Sequence, residues 1–133
     1  MTAEQKPQTK RFTRAEAHKS LPLVTSIVRD IVELQTDLDG RRERLGELRV
    51  IRKGPRQRSD SDPYEEEFRQ MEDDLLADDG RLRGYIEELA KLGIELRDPK
   101  AGAVEFPTVG LAKLVWRLGE ADVQEVEVYT TGA

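Results

Sequence analysis

Apolar residues recur at alternating steps of three and four along two long stretches of this chain, with polar residues filling the positions between. In the first, Val24 to Leu48, the series is Val24, Ile27, Ile31, Leu34, Leu38, Arg41, Leu45 and Leu48. In the second, Tyr64 to Leu92, it is Tyr64, Phe68, Met71, Leu75, Asp78, Leu82, Tyr85, Leu89 and Leu92. Such steps keep one stripe on one face of a helix, and a stripe held over roughly four heptads is the mark of a helix-to-helix seam. The basic, polar segment Ile51 to Asp62 separates the two runs. The pattern therefore predicts one long antiparallel helical hairpin, a coiled-coil-like arm, with two separate amphipathic helices in a globular core as the alternative.

Each stripe is interrupted once by a charge, Arg41 in the first and Asp78 in the second. In an antiparallel hairpin, facing residues have position numbers of near-constant sum, and a reversal between Gly54 and Asp62 puts Arg41 level with Asp78. An ion pair between them, setting the register of the two helices, is the expectation.

The flanking signals delimit the elements. Residues 1–11 hold no periodic apolar position and read as a disordered tail. Thr13 and Glu16 form a capping box with Phe12 and Ala17 at the staple positions, so a helix starts at Arg14. Pro22 lies inside that helical pattern and predicts a break at Ser20 to Leu21, with the long helix restarting at Pro22. From Leu21 to Leu34 the apolar face is wider than a two-helix seam needs, because Leu23, Val28 and Val32 join the stripe, and the surplus calls for another cover. Gly54-Pro55 ends the first helix, and Asp62-Pro63 with Glu65 behind it starts the second, which Gly93 stops.

Beyond Gly93 the period changes to two. Ile94-Glu95-Leu96, the turn Asp98 to Gly102 and Ala103 to Phe106 read as a β-hairpin, and Val123 to Tyr129 as a further strand. Leu114 to Leu118 reads as a third strand, although Leu111 to Leu118 also suits a short helix. The fold class is α+β: the arm, residues 12–93 with a loop near 54–62, packs at its base on a small antiparallel sheet, residues 94–133, in a single domain of residues 12–133.

Composition narrows the chemistry. Of 133 residues 37% are charged and only 5% aromatic, which suits exposed helices with a narrow apolar stripe. The absence of cysteine excludes disulfides and thiol chemistry, and the single histidine, His18, rules out a histidine-rich metal site. No secretory signal or membrane-spanning run is present, so a cytoplasmic protein without membrane contact is expected. The net charge is −5. From Arg41 to Arg58 eight bases stand against two acids, but from Asp60 to Gly80 ten acids stand against Arg69 alone. Side by side in a hairpin these halves neutralise one another, which favours interhelical ion pairing over nucleic-acid binding.

Several short blocks carry a resemblance. Arg11-Phe12-Thr13 with Glu16-Ala17 and Leu21-Pro22-Leu23-Val24, then Leu92 to Asp98 running on to Gly102 to Pro107, then Trp116-Arg117-Leu118-Gly119-Glu120, resemble the bacterial family called domain of unknown function 2203. The likeness spans about Phe12 to Glu120 and implies no assigned activity. The family's Trp-His pair downstream of the Gly-Glu step has no counterpart here, where the chain reads Val126-Glu127-Val128-Tyr129.

No catalytic residue set, cofactor motif or metal-ligand set stands out. Two readings of different class follow. In the first, the protein is a non-enzymatic module that self-associates, as a dimer, or binds a protein partner, using the surplus residues Leu23, Val28 and Val32 together with Ala77, Gly80 and Gly84. Those last three align at helical spacing on the face away from the seam, and the alternative for them is an exposed arm that tolerates weak helix formers. In the second, Glu105, Trp116, Arg117 and Glu120 bind a small ligand or a divalent ion, or serve an enzyme, on the sheet, and the bland alternative is a solvent-facing sheet with a cross-strand ion pair. His18 reads as a solvated helix residue.

Overall fold

The computed structural model describes residues 11–52 and 63–127. Residues 1–10 of the expected tail, the Gly54-Pro55 stop, the loop, the Asp62 cap and Val128-Tyr129 lie outside them, while Arg11, read as the end of that tail, bonds to the Thr108 carbonyl (3.0 Å). Two helices lead into four strands: α1 (Arg14–Arg52), α2 (Pro63–Lys91), β1 (Glu95–Asp98), β2 (Ala103–Phe106), β3 (Ala112–Arg117) and β4 (Gln124–Glu127). With 39 residues, α1 is about 58 Å long at ~1.5 Å per residue. The two helices pack side by side, and the sheet is an antiparallel meander in the order β1-β2-β3-β4. This is the expected α+β architecture.

The start of α1 follows its sequence signals closely. The Thr13 amide donates to Glu16 Oε1 (3.0 Å) and the Glu16 amide donates to Thr13 Oγ1 (3.1 Å), the two halves of the capping box. Phe12 and Ala17, the staple residues, are both buried.

The break expected at Pro22 does not occur, because α1 is one continuous helix through that residue. Pro22 faces solvent, so the His18 carbonyl that loses its donor can be hydrated, while Leu21 and Val24 on either side are buried in the core. Packing of flanking apolar residues outweighs the local cost of the ring, about 3 kcal/mol.

Both seam stripes face the core. Val24, Ile27, Ile31, Leu34, Leu38 and Leu45 are buried from α1, and Leu75, Leu82 and Leu89 from α2, with Phe68, Met71, Tyr85 and Leu92 packed against them. Gly93 ends α2 in the left-handed region at φ 88°. Its amide donates to the Ala90 carbonyl (2.9 Å) and that of Ile94 to the Leu89 carbonyl (3.2 Å), a Schellman closure that turns the chain into β1.

The stretch Leu111 to Leu118, open between strand and helix in the sequence, contains a strand. β3 pairs with β2 on one side and β4 on the other, and its alternation sends Leu114 and Trp116 inward beside Phe106 and Val104 of β2. Those four, with Val123, form the sheet's share of a core whose other side is the base of α1.

Candidate functional site

Among the residues proposed for a ligand site on the sheet, strand alternation turns Trp116 away from Glu105 and Arg117. Trp116 points into the core, and its indole Nε1 donates to the Glu120 carbonyl (3.0 Å), while its neighbour Arg117 is exposed on the opposite face. The Glu120 carboxylate accepts from the Arg117 amide (3.0 Å) and closes the turn between β3 and β4. Glu105 accepts from Arg97 Nε (3.0 Å), with Lys113 Nζ at 3.6 Å. Glu105 thus sits in an ion-pair cluster across β1, β2 and β3 on the solvent side. Among the described residues no group of three acidic or histidine side chains is placed to hold a metal ion. Trp116 therefore parts from Glu105 and Arg117, which share the solvent face, because adjacent strand residues face opposite sides of a sheet.

On the arm, Arg41 Nη1 lies 2.8 Å from Asp78 Oδ2 across the seam and 2.9 Å from Asp37 Oδ2 on its own helix. Asp78 takes a second guanidinium through its other oxygen, from Arg81 at 2.8 Å. One level away, Arg42 bridges to Asp79 (3.0 Å), and further along Arg49 bridges to Glu72 while its guanidinium carbon stands 5.0 Å from the centre of the Phe68 ring. The basic face of α1 therefore meets the acidic face of α2 at two levels of the arm, about two turns apart.

Hydrogen bonds from Arg41, and then Arg81, hold the Asp78 carboxyl below the usual carboxylate range. A group whose folded pKa is depressed stabilises the fold above its unfolded value, and that stability is lost as the pH falls through the folded one. In a double-mutant cycle on Arg41→Leu and Asp78→Leu, followed by chemical unfolding, a favourable coupling is expected, tempered by the second partners Asp37 and Arg81. A coupling near zero would mean that the pair does not help to set the helix register.

Of the residues considered for self-association, two are enclosed within the chain. Val28 is fully buried and Val32 packs against the core. Both lie against Gly102, where a Cβ would come within 3.0 Å of Val28 Cγ1 and Val32 Cγ2. The surplus apolar width of α1 is therefore covered by the protein's own sheet, so these two residues leave the set. Leu23 remains half exposed, at 52%. Ala77, Gly80 and Gly84 are exposed on α2, and a Cβ at either glycine would meet nothing within 4 Å. Leu76, which the periodicity did not single out, is 70% exposed beside them.

One cluster had no signal in the sequence. His18 is exposed, as expected for a helix surface, but its Nδ1 lies 2.7 Å from Asp122 Oδ1, and Arg14 one turn earlier donates from Nη2 to the Val123 carbonyl (3.0 Å). The His18 bond, and then the Val123 amide, hold the Asp122 carboxyl below its ordinary range. The partners stand 104 residues apart, and no spacing rule links them. Together they tie the first turns of α1 to the turn before β4.

Comparison with known proteins places the chain in a family without adding a function. No match was found among curated proteins or among solved structures. The model of the family described as an uncharacterised conserved protein, DUF2203, matches residues 10–132, nearly the whole chain, and the protein belongs to that family.

Proposed function

We propose that this protein is a non-enzymatic binding module that pairs with a second copy of itself through the outer face of α2. The observation that carries this reading is the surface around Leu76, a large apolar side chain 70% exposed beside the smooth strip Ala77, Gly80 and Gly84. Small residues allow a second helix backbone to approach closely, and an exposed leucine supplies apolar area to bury there. With Val28 and Val32 covered internally, the expected surface reduces to Leu23 on α1 and the outer face of α2, where Leu76 adds apolar area. The burial of Trp116 in the core, away from Glu105 and Arg117 on the solvent face, supports a docking role over a ligand site built from all four residues.

Light scattering across a dilution series tests this. A dimer is expected at ~100 μM, where an interface of standard size is populated, with dissociation towards ~1 μM. Leu76→Arg and Gly84→Arg, both at exposed positions, should leave the unfolding midpoint nearly unchanged and yield a monomer throughout. A monomeric mass for the unaltered protein at the highest concentration would overturn the reading.

A further inference from the structure

We propose that residues 11–21 form a strap that opens as a unit about Pro22, releasing the start of α1 from the sheet. The backbone is weakened at that point by chemistry alone. Pro22 has no amide hydrogen, so one of the helical bonds that would join the strap to the rest of α1, from residue 22 to the His18 carbonyl, cannot form. A proline also disfavours the helical conformation of the residue before it, here Leu21.

The strap is held by the burial of Ala17 and Leu21 in the core and by contacts with the sheet region. The Phe12 amide donates to the Pro107 carbonyl (2.7 Å) and Arg11 Nη1 donates to the Thr108 carbonyl (3.0 Å), both after β2. Arg14 reaches the Val123 carbonyl and His18 reaches Asp122, both before β4. Between these two lines of bonds the Phe12 ring meets Phe106 edge to face, with centroids 5.2 Å apart. The two side-chain tethers before β4 are largely exposed to solvent, so each contributes little alone. Opening would break contacts concentrated on one side of the strap and leave the distal seam intact. It would bare Phe106, which is fully buried when the strap is closed, as an apolar surface at the base of the arm.

A segment that opens independently exchanges its amide hydrogens faster than the core that stays folded. Native-state hydrogen exchange on the full chain should show Ala17 to Leu21 exchanging roughly a hundredfold faster than Ile27 to Leu38, with a step within the turn after Pro22, whose amides bond to strap carbonyls, and no gradual slope. Pro22→Ala restores the missing donor and should remove most of that step. His18→Ala should speed exchange in Ala17 to Leu21 and leave Ile27 to Leu38 unchanged. Equal protection on both sides of Pro22, or a step that survives Pro22→Ala, would show that the segment does not open about that residue and would overturn the proposal.

Discussion

Phe106→Ala is expected to destabilise the protein by about 3–5 kcal/mol, the range for truncating a buried aromatic residue to alanine in a packed core. Phe106 is the last residue of β2 and has no solvent exposure. It lies where three elements meet: β2 itself, Leu114 of β3 beside it in register, and Phe12 edge to face with it. Truncation removes the aromatic contact as well as buried area, and the neighbours are tied by backbone bonds, which limits their collapse into the space. In chemical unfolding the midpoint should fall with the denaturant dependence unchanged. A loss under about 1 kcal/mol would mean that the site relaxes freely and that Phe106 is not a centre of the core.

Gly102→Ala is expected to cost about 2–4 kcal/mol, combining overpacking with an unfavourable backbone conformation. The turn from β1 to β2 is built by Asp98, whose Oδ1 accepts the Lys100 amide (2.9 Å) and the Ala101 amide (3.2 Å), while its carbonyl accepts the Gly102 amide (2.8 Å). That closure puts Gly102 at φ 72°, a region disfavoured for any residue with a Cβ. A Cβ there would lie 2.9 Å from Leu118 Cβ and 3.0 Å from both valine methyls of α1. Val28 is fully buried, so relief would require the sheet to move away from the helix. The companion variant Val32→Ala removes one of the two methyl contacts and should recover part of the loss when combined with Gly102→Ala. Purely additive costs in that pair would show that the Val32 methyl carries none of the loss and leave it to Leu118 Cβ, Val28 and the backbone conformation.

The contrast between what could and could not be read in advance follows the range of the interactions concerned. The Thr13–Glu16 box, the Gly93 stop and the bounds of β2 each depend on residues within a few positions, and they were legible for that reason. The level of Arg41 against Asp78 was legible too, because a hairpin turns sequence distance into spatial position by a single rule. At Pro22 local chemistry argued for a break, yet burial of Leu21 and Val24 kept the helix whole. For the candidate sites the limit was sharper. Glu105, Trp116, Arg117 and Glu120 lie close together in the chain or across a hairpin, but strand alternation and a turn divide them between the core, the solvent face and the loop. Likewise the width of the apolar face from Leu21 to Leu34 showed that something must cover Val28 and Val32. Whether a second copy or the protein's own sheet did so depended on where the turn at Gly102 lands. Sequence by itself determined the two stripes, the box that opens α1, the glycine that stops α2, the opposed charges of the arm and the hairpin that begins the sheet. Tertiary structure alone decided that the sheet closes over α1, that His18 meets Asp122, and that the outer face of α2 stays open. Those outcomes depend on contacts between residues far apart in the chain, which no local period encodes.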